Sequence, residues 1–172
     1  MKSPKTRCIK FILMVFLPFC TLLNNSYAQT SDYDRGLIAF DAKNYKQAVE
    51  ELKPYAEKGN CIAQFAVGFS YMFGEDIKND TLARHWLELS AEQKQPKAMG
   101  PLSASYFMAS NEKDAIVRAY LWGVLAAEYD PIQRMTTTTT LVEHYMKSDE
   151  LKKAKTLIMQ YEKRWKDKED CR

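Results

Sequence analysis

The chain has 172 residues, with 25 Lys+Arg against 22 Asp+Glu and four cysteines, a length that suits one domain burying roughly two-thirds of its unfolded surface. The basic surplus belongs to Lys2, Lys5, Arg7 and Lys10: without the first 28 residues, 21 basic side chains face 22 acidic ones. A near-neutral remainder gives no electrostatic reason to expect nucleic acid or an anionic membrane as partner.

Residues 1–28 read as a signal peptide. A basic start precedes the 13-residue apolar run Phe11–Leu23, then polar Asn24-Asn25-Ser26-Tyr27-Ala28, with small residues placed for cleavage between Ala28 and Gln29. The run contains Pro18 and is shorter than the roughly 20 residues a membrane span needs. The expected product is periplasmic or secreted, with no integral membrane segment. Cleavage leaves Cys61 and Cys171 as its cysteines. A bond is permitted in an oxidising compartment. It requires Cα atoms within about 7 Å, and a stack of repeats should keep these positions apart, so the expectation is free thiols or an intermolecular contact.

Beyond the leader the sequence repeats. Ala48, Ala83, Ala119 and Ala154 are spaced by 35, 36 and 35 residues, and Ala56, Ala91 and Ala127 keep the first two intervals. Glu57, Glu92 and Glu128 do the same, and Trp86 and Trp122 are 36 apart. A period in the mid-thirties is that of stacked helix pairs. The expected fold is all-α, a superhelix of three to four antiparallel pairs over about 32–58, 60–95, 96–129 and 131–165, ending in a polar tail at 166–172. In the first pair, Asn44 is placed to cap the second helix. In the second, Gly74-Glu75-Asp76-Ile77-Lys78-Asn79 opens a longer loop. The third pair's second helix is expected from Glu112, with Asn111 and Asp114 at capping-box spacing. Cys61, Pro96 and Pro131 recur every 35 residues at helix starts. The last pair contains Thr136–Thr140, which disfavours helix locally, while its place in the repeat favours one. The mixed charges from Glu162 onward read as a solvated, frayed end.

Packing accounts for the periodic residues. Ala48, Ala83 and Ala119, with Gly68 and Ser103 on the facing helices, let backbones approach, while Tyr71, Tyr106, Trp86 and Trp122 fill the space between layers. The run Ala63-Gln64-Phe65-Ala66-Val67-Gly68-x-x-Tyr71-x-x-Gly74, then Ile77-x-x-Asp80, Ala83-x-x-Trp86 and Ser90-Ala91-Glu92-Gln93, resembles a Sel1-like repeat, a longer-looped relative of the tetratricopeptide repeat. The third pair keeps Ala98, Tyr106, Arg118-Ala119-Tyr120-x-Trp122 and Leu125-Ala126-Ala127, but has Ser103 for the repeat's glycine. The resemblance implies a right-handed α/α superhelix that serves as an adaptor for protein or peptide partners, often in the cell envelope.

A binding face is suggested by a second apolar stripe. Phe65, Phe69, Met72 and Phe73 lie at i, i+4, i+7 and i+8, apart from the positions that pack on the paired helix. Leu37 and Phe40 in the first pair, and Phe107 and Met108 in the third, are expected to join them on a concave face taking an apolar peptide or amphipathic helix. An aromatic and Met stripe of this kind is also what packing between repeats produces.

Chemistry is sparse. Ser110-Asn111-Glu112-Lys113 matches the S-x-x-K of penicillin-interacting enzymes, but Lys155-Thr156-Leu157 and Ser148-Asp149-Glu150 only approximate the companion K-T-G and S-D-N. An envelope hydrolase acting on cell-wall or β-lactam-like substrates is therefore the alternative to a non-enzymatic scaffold. His85 and His144 lack a second His or Cys at metal-ligand spacing. Glu75, Asp76 and Asp80 lack the pattern of a calcium loop. No metal, cofactor or small-molecule substrate is expected.

Overall fold

The computed structural model describes residues 31–109, 111–129, 137–169 and 171; the leader and its expected cleavage point lie outside them, as do Ser110 and Pro131. Among the described residues there are eight α-helices and no strand. They are α1 (Asp32–Asp41), α2 (Tyr45–Glu57), α3 (Cys61–Phe73), α4 (Asp80–Ala91), α5 (Pro96–Met108), α6 (Ala115–Tyr129), α7 (Thr137–Tyr145) and α8 (Ser148–Trp165), with one 3₁₀ turn at Glu75–Ile77. Each helix packs on the next through α6, which is covered by both α7 and α8. The first helices of successive pairs, α1, α3, α5 and α7, also touch in that order. The molecule is an all-α solenoid.

Asparagine starts three of the helices. Asn44, Asn60 and Asn79 side chains accept from the backbone N–H of Gln47, Ala63 and Leu82 at 3.4, 2.8 and 2.9 Å, satisfying donors that the first turn leaves without partners. The third pair departs from expectation. Its second helix begins at Ala115 rather than Glu112, and Asp114 stands at φ 62°. The Asn111–Asp114 capping box is not formed. Instead the Asp114 carboxylate accepts from Lys153 Nζ of α8 at 2.7 Å, a tertiary bond replacing the local one. The four threonines that open α7 are helical; tertiary placement overrides their propensity.

The periodic alanines lie inside the stack. Ala48, Ala83, Ala119 and Ala154 are all fully buried. Glycine and leucine face each other beside them. A Cβ on Gly36 would lie 2.6 Å from Leu52, and one on Gly68 would lie 2.9 Å from both Leu87 Cγ and its backbone N. In the third pair both partners are small. Ser103 occupies the glycine position and Gly123 the leucine position, with Ser103 Oγ donating to Ala119 O at 2.7 Å. Gly123 leaves room for the Ser103 side chain, which is why the missing glycine leaves the fold intact. The core divides along α4: Trp86 packs with α1–α3, while Leu87 begins the cluster running through α5–α8.

The described part of the C-terminal tail is tied to the stack rather than frayed. Cys61 and Cys171 form a disulfide with a Cα–Cα distance of 6.2 Å, correcting the expectation of separate thiols. The cause is α8, which runs back along the stack instead of extending it. Arg164 pairs with Glu92 at 2.7 Å, Lys168 Nζ donates to Glu92 O at 2.9 Å, and Lys94 Nζ donates to Lys168 O at 2.8 Å. These bonds bring the tail to the α4–α5 junction, beside the start of α3. A bond closing so long a loop ordinarily stabilises a fold by about 2–4 kcal/mol.

Candidate functional site

The face made by α1, α3 and α5 carries the apolar residues singled out in the sequence. Phe40, Phe65 and Phe69 meet with ring centroids 5.6–5.7 Å apart, and Phe69 continues to Phe73 at 4.4 Å. Tyr45, which the repeat pattern did not mark, closes the group at 6.3 Å from Phe69. Such edge and tilted contacts add modestly to the burial of the rings. Leu37, Phe40, Phe65, Met72 and Phe107 are half-buried against the two cores, and Phe69 is also half-buried. These six serve the fold as well as the face. Phe73 and Met108 are different: 52% and 79% exposed, they pack on little.

Two openings flank α3. At the N-terminal end, Leu37, Phe40, Ile62 and Phe65 line a cavity of about 420 Å³, rimmed by Asp41, Gln95, Lys97 and Cys171. At the other end, Met72, Phe73, Ala104 and Met108 line one of about 630 Å³, rimmed by Lys78, Asp80, Arg84 and Glu112. Phe65 and Phe73, eight residues apart on one helix, separate these openings by about 12 Å along the axis. Phe107 belongs to neither. It turns toward α7, with its ring 6.3 Å from Tyr145 and a third opening of about 410 Å³ between them. The eight residues therefore do not form one groove. Leu37, Phe40 and Phe65 share one cavity, Met72, Phe73 and Met108 another, and Phe69 bridges the two.

The polar features are structural networks that the sequence reading missed. Tyr106 donates to Glu88, and Arg118 donates to both Glu88 at 3.2 Å and the Tyr106 hydroxyl at 3.1 Å. Arg84 and Arg118 lie over the Tyr106 ring at 5.1 and 5.5 Å, a cation–π arrangement. Burial, then the Glu88 bond, push the Tyr106 hydroxyl up to about 12. One layer on, Tyr161, Glu92 and Arg164 repeat the combination, with Arg164 4.1 Å over the ring. Burial and Glu92 push Tyr161 up to about 12 as well. The spacing of Glu57, Glu92 and Glu128 by 35 and 36 residues was the available signal for one member, but its tyrosine and arginine partners come from α8, outside the repeat register.

Of the residues considered for hydrolysis, Ser110 lies outside the described residues and Lys113 is exposed. Ser148 opens α8, and Thr156, exposed on the same helix, donates to Lys152 O at 3.0 Å. His85 and His144 are exposed beside Trp86 and Tyr145. Among the described residues no group of three or more His, Cys, Asp or Glu is placed to hold a metal ion, and no helix is long and apolar enough to cross a membrane.

Stacked helix pairs with small residues at the pair contacts and an apolar row on the first helices define a helical-repeat scaffold. No protein-family model matches the sequence, and comparison with curated proteins finds no match. Among solved structures, a protective antigen present in uropathogenic Escherichia coli strains and displaying an SLR fold matches with a TM-score of 0.66 and 25% identity. The match covers 77% of this chain and 29% of that one, so this chain spans less than a third of that protein's length. The fold is the Sel1-like repeat fold.

Proposed function

We propose that this chain is an exported, non-enzymatic scaffold that binds a protein or peptide partner in the cell envelope through the face of α1, α3 and α5. The observation that carries the reading is the pair Phe73 and Met108. Two large apolar side chains stand more than half exposed at the mouth of one cavity, continuous with a half-buried aromatic row. Exposed apolar area gathered in this way is characteristic of an interaction site. The partner it suits presents apolar side chains on a helix or extended peptide. Export is supported by the basic-apolar-polar order of residues 1–28 and by the Cys61–Cys171 bond, which fits an oxidising compartment.

The test is photo-crosslinking in intact cells, with a reactive residue replacing Phe73, Met108 or, as control, Met159, which is 67% exposed on α8. Positions 73 and 108 should capture the same protein and position 159 should not. Met108→Glu should abolish capture from position 73. Equal capture from all three positions, or none from the first two, overturns the binding face.

A further inference from the structure

The two cavities that flank α3 share a second wall, α5. Phe65 of α3 and Lys97 of α5 line the one at the N-terminal end, and Phe73 of α3 and Ala104 of α5 line the other. The cavities are therefore eight residues apart along one wall and seven along the other, about 10–12 Å on either axis. We propose that the occupant of this face is an amphipathic α-helix of the partner, lying in the furrow between α3 and α5 with apolar residues seven or eight positions apart, one in each cavity.

The middle of the furrow favours a helix over an extended chain. On α5, Gly100 and Pro101 stand three and four residues after Lys97, on the same face, and both are half-buried. On α3, Phe69 turns toward α1 and α2, with its ring 5.6 Å from Phe40 and 6.3 Å from Tyr45. These side chains leave space between the cavities and offer no hydrogen-bonding group. An extended peptide laid there would lose water from its N–H and C=O groups with no side chain to replace it, which is costly. A helix satisfies its own backbone.

Charge limits the occupant further. The helix α3 carries no charged residue. The charges stand at the two ends: Asp41 and Lys97 at one, Lys78 and Asp80 at the other, all exposed, while Arg84 and Glu112 pair with each other at 2.6 Å. A charge on the buried stripe of the partner would be desolvated without a counter-charge. The complementary helix is uncharged between its two anchors and carries charges of both signs beyond them.

The inference rests on the binding face proposed above, but it can fail while that face survives. The probe is an alanine-based peptide held helical by a lactam bridge on one side, with two leucines seven positions apart on the other. Its binding to the full mature chain is followed by fluorescence anisotropy. An isomer with the leucines four positions apart keeps its composition and its apolar side but reaches one cavity only. It should bind about tenfold more weakly, the value of one buried leucine side chain. A linear version with a central proline, which breaks the helix, should lose at least as much. In Met108→Glu, altered at an exposed position of the far cavity, the two leucine spacings should bind equally; Met159→Glu on α8 should preserve the difference. Equal binding of both spacings to the parent protein, undiminished binding of the proline peptide, or a spacing preference that survives Met108→Glu overturns the proposal. Should a partner still be captured from positions 73 and 108 in that event, the face stands and its occupant is not such a helix.

Discussion

The molecule holds two aromatic clusters of similar density and opposite fate. In one, Phe40, Tyr45, Phe65, Phe69 and Phe73 sit on α1–α3, with no ring fully buried and Phe73 52% exposed. In the other, Trp122, Tyr129, Tyr161 and Trp165 meet at 5.1–6.3 Å, with Trp165 and Trp122 at 1% and 2% exposure. The difference is a cover. The terminal helix α8 lies across α6, whereas no described helix lies across the outer side of α3. Aromatic density in a repeat sequence therefore does not distinguish a core from a surface; the next helix does.

The largest expected effect comes from breaking the covered cluster. Trp165→Ala should cost about 3–5 kcal/mol, the range for deleting a large buried side chain. Equilibrium denaturation of oxidised protein measures it. A loss below about 1 kcal/mol, the size of an ordinary point mutation, would mean that α8 is not the lid it resembles.

The repeat made much of this legible. Alanines spaced by 35 and 36 residues became fully buried contacts, because close backbone approach demands small residues at fixed intervals. The stripe on α3 was legible as a face, since helical spacing fixes which residues lie together. Its division into two cavities was not, because that depends on how α1 and α5 meet α3. The direction of Phe107 was hidden for the same reason: its neighbour Tyr145 is on a helix whose threonines argue against it locally. The disulfide was the clearest failure. Periodicity describes neighbours one repeat apart, and Cys61 and Cys171 are 110 residues apart. Only the reversal of α8 brings them together, and no spacing encodes it.

A smaller effect sharpens the contrast through pH. The covered cluster carries a polar handle in Tyr161, matched one layer earlier by Tyr106; both hydroxyls are pushed up to about 12 from an ordinary 10.0, by burial first and a carboxylate second. Below the unfolded value both states keep the proton, and stability is independent of these groups. Above it the unfolded chain loses protons the folded chain retains, so unfolding becomes more favourable as pH rises toward the folded value. The denaturation midpoint should fall between about pH 9.5 and 11.5, and the fall should shrink in a Tyr106→Phe, Tyr161→Phe double variant. An undiminished fall would assign the alkaline loss to other groups.

The smallest expected effect on stability is at the uncovered cluster, and its smallness is informative. Phe73 and Met108 are large apolar residues whose removal from a core would cost several kcal/mol. At 52% and 79% exposure they have little burial to lose, and substitutions at such positions ordinarily stay within about 0.5 kcal/mol. Phe73→Ala should show slightly more than Met108→Ala, because it gives up the 4.4 Å contact with Phe69. If both variants denature like the parent protein, the fold makes no use of these side chains, and the apolar area is available for a partner. If Phe73→Ala destabilised as much as Trp165→Ala, the ring would be part of the packing and the two clusters would no longer differ in kind. These two variants separate the cases without a partner in hand, by denaturant midpoint alone.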